Sequence, residues 1–276
     1  MTAAPVPAAQ LPAAIANPLS LFDVAGQSIV ITGVSGAMGH AVACALSSLG
    51  ARLLLVSGSE DGLREVADQA RALGGEIHTL TLRPESLEDA TTIVSTAVEA
   101  FGRLDSMFVA SGYNDPAAIE DMPVEQWQKI MDANVLGPWL LAKAFGTHAA
   151  ARGGGGRMVL VSSVRGRQGS PAGYTAYCTS KGAVDSLTKT LATEWGPRGI
   201  NVNAIAPAVF RSTLTDWIFA DTEAGRASRE RNMTRIAMKR LGEPEDFVGL
   251  AVYLLSAASD FVTGQVIYVD GGYTAT

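Results

Sequence analysis

Tyr177 and Lys181 stand four residues apart in the segment SSVRGRQGSPAGYTAYCTSKGA. On a helix that spacing stacks both side chains on one face, an ammonium beside a phenol. A free phenol titrates near about 10, and a neighbouring positive charge favours its ionised form. Such a pair can give and take a proton, which is general acid and base chemistry. A second chemistry-bearing stretch is TGVSGAMG, Thr32 to Gly39. Gly33 permits a tight turn there, and small residues let the backbone approach a pyrophosphate. The N-terminus of a following helix adds unpaired N–H groups and the positive end of its dipole. Gly33, Ser35, Gly36, Met38 and Gly39 thus form a candidate anion cradle.

These stretches need elements that hold them together. From Gln27 onward, short β-branched or leucine-rich runs alternate with helical segments, the pattern of a parallel sheet built from βαβ units. Strands are expected at 27–32, 52–57, 76–82, 106–111, 157–162, 200–206 and 265–270. Helices are expected at 38–49, 60–73, 86–101, 124–150, 175–195 and 244–258, with Gly50, Gly74 and Gly102 at three exits. The expected fold class is α/β: a doubly wound, Rossmann-type, seven-stranded parallel sheet with helices on both faces, one domain over 21–276. Residues 1–20, rich in Ala and Pro, read as a flexible arm, and 208–240 read as a mostly helical insertion that covers the substrate. The glycine run 153–156 reads as a structural turn from helix into strand.

Composition narrows the function. The chain has 276 residues, 47% hydrophobic and 17% charged, with a net charge of −6 from mixed charges and no long run of one sign. That leaves no basic footprint for nucleic acid or an anionic membrane surface, and no apolar stretch long enough to span a bilayer. Two cysteines, Cys44 and Cys178, suggest no disulfide framework and a cytoplasmic setting. His40, His78 and His148 lack a second ligand at metal-binding spacing, so no metal is expected. Cys178 has no histidine beside it and reads as a packed thiol.

The segments FDVAGQSIVITG, DANVLG, YCTSKGAVDSLTKTLATEWGPRGINVNAIAP, RLGEPEDFVGLAVYLLS and SDFVTGQVIYVDGG, with the TGVSGAMG turn, occur in one order from about Leu21 to Tyr273. Together they resemble the classical short-chain dehydrogenase/reductase family. The resemblance implies an oxidoreductase that moves a hydride between nicotinamide and a secondary alcohol or ketone. It implies a catalytic tetrad in which Tyr177 moves the hydroxyl proton, Ser163 orients the substrate oxygen, Lys181 holds the nicotinamide ribose and Asn134 holds a relay water. Cofactor contacts carried over are Gly33, Ser35, Gly36, Met38, Gly39, Ser57, Gly58, Ser59, Gly112, Tyr177, Lys181, Pro207, Val209 and Ser212.

Several positions depart from the family wording. Ala37 stands at the middle glycine of the turn, VASG replaces the usual NNAG, Ala208 replaces a glycine after Pro207, and Thr81 stands near the usual adenine-binding Asp. After the second strand the sequence offers neither an acid for ribose hydroxyls nor an arginine for a 2′-phosphate, only Ser57, Gly58, Ser59 and then Glu60. The small hydroxyl residues tilt the expectation toward NADP, with NAD left open. The substrate is expected to be a small alcohol or ketone of sugar-acid, polyol or 3-oxoacyl type. Its candidate contacts are Tyr113, Arg165, Tyr174, Arg211 and Trp217, with Asn114, Arg167 and Phe210 beside them. Family habit implies a homotetramer. Two other readings are a cofactor-independent halohydrin dehalogenase-like enzyme, which Lys181 and the glycine turn disfavour, and a catalytically silent nucleotide-binding module.

Overall fold

The strands read as unbroken apolar runs because both of their faces are covered, and the alternation appears only in which face each residue serves. In β1, Ile29 and Ile31 join one core cluster while Val30 joins the other. Phe108 and Met107 divide in the same way. This is the period-two geometry of a strand between two helical layers.

The computed structural model describes residues 11–212 and 215–275. Half of the expected arm, residues 1–10, lies outside the described residues, as do 213 and 214 within the expected insertion. A short exposed helix, α1 (Ala13–Ala16), precedes the alternation. Then follow β1 (Ser28–Thr32), α2 (Ala37–Ser48), β2 (Arg52–Ser57), α3 (Glu60–Ala72), β3 (Glu76–Thr81), α4 (Leu87–Phe101) and β4 (Ser106–Val109). The chain continues through α5 (Val124–Met131), α6 (Gly137–Ala151), β5 (Gly156–Val161), α7 (Thr175–Trp195) and β6 (Ile200–Pro207). It ends with α8 (Asp216–Phe219), α9 (Glu223–Arg235), α10 (Glu245–Leu255) and β7 (Val266–Val269).

The seven strands form one sheet in the order β3-β2-β1-β4-β5-β6-β7, and every pairing is parallel. Val42, Leu46, Val66, Phe247 and Leu254 from α2, α3 and α10 cover one face. Ile93, Leu141, Phe145, Val184 and Trp195 from α4, α6 and α7 cover the other. Burying each such side chain contributes about 1.5–3 kcal/mol. The chain winds outward from β1 to β3, then crosses back to β4 on the far side of β1. The strand order therefore reverses between β1 and β4, and a crevice opens beyond their carboxyl ends.

Local chemistry sets the helix ends. Ser86 and Asp89 form a reciprocal capping box that starts α4, and Gly102 ends it in the left-handed conformation. The run Gly153–Gly156 has positive φ at all four residues and carries α6 into β5.

Two expected helices differ from the structure. The span 124–150 is interrupted by a π-helical turn, Asp132–Leu136, in which the Gly137 N–H reaches back five residues to the Asp132 carbonyl. Pro138 explains the break: it has no N–H to return to the Asn134 carbonyl four residues earlier. The span 244–258 stops at Leu255, and a 3-10 turn at Ala257–Ser259 follows. The expected fourth strand also runs too far, since pairing ends at Val109 and Ala110 and Ser111 turn toward the crevice. The stretch 208–240 holds α8 and α9; Ile218 of α8 and Ile236, just past α9, pack with Leu241 on Val164 and Tyr273.

Candidate active site

Gly33 follows β1 with φ +72, and a Cβ there would stand 2.5 Å from the Ser111 N, so only glycine lets the ends of β1 and β4 pass each other. A Cβ on Gly39 would fall 2.6 Å from the Gly33 carbonyl oxygen, so α2 presses directly on the turn. Helix α2 starts at Ala37 with Gly36 as its cap and no side chain bonded to its first amides. Those N–H groups remain available to an anion. The crevice, about 1150 Å³, is lined by this turn, by Ser57 to Ser59 at the end of β2, by Ser111 and Gly112 after β4, and by Ser212. A turn of glycines and small residues under open amides is a cradle that fits the pyrophosphate of a nicotinamide dinucleotide. Ala37 lines it without filling it.

Helix α7 brings Tyr177 and Lys181 behind the wall of this crevice: Val161 and Gly112 line it, Lys181 bonds the former and would lie 3.6 Å from a Cβ on the latter, while Asn134, Ser163, Tyr177 and Lys181 do not line it themselves. Lys181 is buried, and its Nζ donates to the Val161 carbonyl at 2.8 Å. The same ammonium lies 5.7 Å from the centre of the Tyr177 ring. Burial drives the two groups in opposite directions. It pushes the Tyr177 phenol up to about 12, against the pull of the Ser163 hydroxyl within hydrogen-bonding reach. It lowers the Lys181 ammonium to about 8, against the Asp185 carboxylate. Near neutral pH the phenol is thus protonated and the ammonium charged. Ser163 ends β5's exit, where its Oγ accepts from the Arg165 N–H at 3.2 Å and is 3.5 Å from the Pro207 carbonyl.

Asn134 joins this cluster through the π turn. Its Oδ1 accepts the Tyr113 N–H at 2.7 Å, and its Nδ2 donates to the Tyr113 carbonyl at 2.8 Å and to Ser180 Oγ at 2.9 Å. The side chain thereby clamps the segment after β4 to α7. A Cβ on Gly112 would meet Asn134 Oδ1 at 3.3 Å and Lys181 Nζ at 3.6 Å, so these three positions converge.

The substrate candidates divide. Tyr174 stands edge-on to Tyr177 at 6.0 Å, and the charge of Arg165 is felt at the Tyr177 phenol. Arg165 also donates to the Gly169 carbonyl and the Tyr273 hydroxyl. Arg211 pairs with Glu243 at 3.0 Å and stacks on Phe219. Tyr113 is held by Asn134, by Asp115 at its hydroxyl and by Lys129 over its ring. Trp217 is half exposed on α8. Val209 and Ala208 pack beside the insertion's core, and Ser212 bonds Thr215. Cys178 points its thiol at the Gln168 carbonyl, and burial raises its pKa.

Three contributors escape the sequence reading. Asp185, one helical turn beyond Lys181, is buried and accepts from Ser162 Oγ. Its Oδ2 occupies the place where a Cβ on Gly166 would go, so it also braces the turn after Ser163. Ser180 anchors Asn134. Arg83, from the loop after β3, lies across Gly58. The visible signal for Asp185 was a carboxylate on the apolar face of α7. Among the described residues no cluster of three or more His, Cys, Asp or Glu could hold a metal. No described helix is long and apolar enough to cross a membrane.

Comparison with known proteins adds to this geometry. A family model described as enoyl-(acyl carrier protein) reductase matches residues 33–274. The chain is 52% identical to an uncharacterized oxidoreductase of Mycobacterium tuberculosis over 93% of this chain and 94% of that one. A solved short-chain type dehydrogenase/reductase from Mycobacterium marinum superposes with TM-score 0.87 at 33% identity, covering 94% of this chain and 99% of that chain. A structure from Beutenbergia cavernae, described as a candidate NAD(P) dependent gluconate 5-dehydrogenase with bound NADP at low occupancy, gives TM-score 0.84 at 35% identity over 93% and 100%. Sequence, sheet order and these likenesses agree: the chain belongs to the classical short-chain dehydrogenase/reductase family, as an NAD(P)-dependent oxidoreductase acting on CH–OH groups.

Proposed function

We propose that the chain is an NADP-preferring dehydrogenase/reductase of small polyhydroxylated substrates, sugar acids first among them. The observation that carries this reading is the convergence of Tyr177, Ser163 and Lys181 beside a crevice whose wall includes Val161, the residue whose carbonyl Lys181 holds, together with the hydroxyls of Ser57 and Ser59. The bound nicotinamide supplies or takes the hydride. Tyr177 exchanges the proton of the substrate oxygen, and Ser163 orients that oxygen. Lys181 stabilises the ionised phenol electrostatically and reaches the nicotinamide ribose. Asn134 acts as a brace, because its amide is engaged on Tyr113 and Ser180. With that amide engaged, a relay water on Asn134 would have to be held by its main-chain carbonyl.

Arg165 supports the sugar-acid class, since it stands two residues from Ser163 and its guanidinium retains donors for a carboxylate. The gluconate 5-dehydrogenase description and bound NADP of the Beutenbergia cavernae protein point the same way. A 3-oxoacyl substrate is the second reading, favoured by exposed Trp217 and Met238 at the insertion. Residues 208–240 act in either case as a cover over the substrate. The working form is a cytoplasmic homotetramer. Two free cysteines support the compartment. Partly exposed Leu136 and Trp139 on and before α6, and β7 as the edge strand, support the assembly.

The test is turnover of aldonates, polyols and 3-oxoacyl thioesters with both cofactor pairs, in the wild type and in Tyr177→Phe. Aldonate oxidation with NADP is expected. Tyr177→Phe is expected to lose about 10³-fold or more in kcat while binding cofactor normally. Turnover that survives this substitution would sink the catalytic assignment, and activity on acyl thioesters alone would overturn the substrate class.

A further inference from the structure

Gly58 stands just past the end of β2, and the space above it is taken by the side chain of Arg83. A Cβ on residue 58 would collide with Arg83 Nε and sit 2.7 Å from its Cγ and 2.9 Å from its Cδ. Only a residue without a side chain lets the arginine stem lie there. Arg83 arrives from the neighbouring strand: Ser57 pairs with Thr81, the Leu82 N–H donates to the Ser57 carbonyl at 3.1 Å, and the next residue crosses over.

The surroundings suit a doubly charged oxyanion. Ser35 and Ser57 hydroxyls meet at 2.9 Å, and the Ser59 N–H donates to Ser57 Oγ at 3.1 Å. Ser35, Ser57, Gly58, Ser59 and Arg83 all line the same crevice. Among the described residues the Arg83 guanidinium has no hydrogen-bond, ion-pair or ring partner, and Glu85, the carboxylate that lines the crevice near it, forms no ion pair with it. A planar fork of free N–H donors chelates phosphate oxygens in a bidentate way, and hydroxyls can rotate to donate to them.

We propose that Arg83, laid across Gly58 and flanked by Ser35 and Ser57, is the seat for the 2′-phosphomonoester of an adenine nucleotide and the residue that makes the protein prefer NADP(H) to NAD(H). This rests on the reading of the crevice as the dinucleotide site. It assigns the discrimination to a residue in the loop after β3, away from the end of β2 where an arginine is ordinarily sought, which explains why that strand end holds only serines and glycine.

The experiment measures binding without turnover: calorimetric titration of 2′,5′-ADP and 5′-ADP, and fluorescence titration of NADPH and NADH, in wild type, Arg83→Ala, Arg83→Lys and Gly58→Val. Wild type is expected to bind 2′,5′-ADP and NADPH at least about 10-fold tighter than their counterparts without the 2′-phosphate. Arg83→Ala should weaken those two ligands by about 10- to 100-fold and change 5′-ADP and NADH by less than about 3-fold. Arg83→Lys should keep part of the preference as a point charge. Gly58→Val, whose side chain both displaces the arginine and enters the crevice, should weaken all four ligands, and 2′,5′-ADP and NADPH the most. A wild type that prefers NADPH while Arg83→Ala leaves the preference intact overturns the role of Arg83 alone. A wild type that binds NADH as well as NADPH overturns the preference, and one that binds neither overturns the dinucleotide reading beneath it.

Discussion

At the scale of single residues, the site is a pair of buried groups with opposed shifts. The phenol at about 12 is held neutral and the ammonium at about 8 is held charged, so at pH 7 the resting protein is set to donate a proton. Taking a proton instead needs the charge of Lys181, which disappears as pH rises through about 8. The Asp185 carboxylate favours that charge, so its removal must move the loss to lower pH. Asp185→Asn is therefore expected to shift the alkaline limb of the kcat/KM profile toward acid by about one unit. An unmoved limb would show that Asp185 only braces the turn. The sign for stability is separate. Because Lys181 is lowered from 10.5, its burial cost is fully present below about 8 and is relieved as pH climbs toward 10.5. Tyr177 and Lys181 are legible in sequence because their contact is local, four residues on one helix. Arg83 and Asp185 are not, because their partners, Gly58 and Ser162, are brought to them by strand pairing and helix docking.

At the scale of elements, the π turn between α5 and α6 is a departure from regular helix geometry that places Asn134. Continuous helical periodicity hides it, and Pro138 is the only local mark. The turn exists where Asn134 must reach both the segment after β4 and α7. Asn134→Ala would leave the Tyr113 N–H and carbonyl and the Ser180 hydroxyl to find other partners. We expect a loss of about 2–4 kcal/mol, a fall in Tm of roughly 5–10 °C, and a kcat loss larger than the loss in cofactor affinity. Differential scanning calorimetry alongside steady-state kinetics checks both. A stable, fully active variant would remove Asn134 from the machinery.

For the whole molecule, the fold was legible because each strand is short, apolar and separated by a helix, and a doubly covered sheet leaves little else possible. Beside the two helix differences, an error falls at a strand end, where Ala110 and Ser111 keep a strand-like sequence yet leave the sheet to line the crevice. Assembly belongs to this scale as well. Trp139 is 44% exposed on the outer side of α6, beside a cavity of about 440 Å³ shared with Trp195 and Arg198 of α7 and the turn after it. If the proposed homotetramer uses this face, Trp139→Glu should put a desolvated charge into the contact and shift the mass measured by light scattering from tetramer to dimer or monomer. An unchanged mass would place the subunit contact elsewhere.

Tyr273 lies past the last strand, yet it is buried against Val164 and stands between Arg165 and Arg235, with its hydroxyl bonded to Arg165. Its neighbours Val164 and Arg165 belong to the turn that presents Ser163. That turn is made by the ribosome more than a hundred residues before its brace. During synthesis the sheet can pair through β6 while the reacting corner still lacks its support. The catalytic corner is thus complete only once Tyr273, past β7, is seated against Val164 and Arg165.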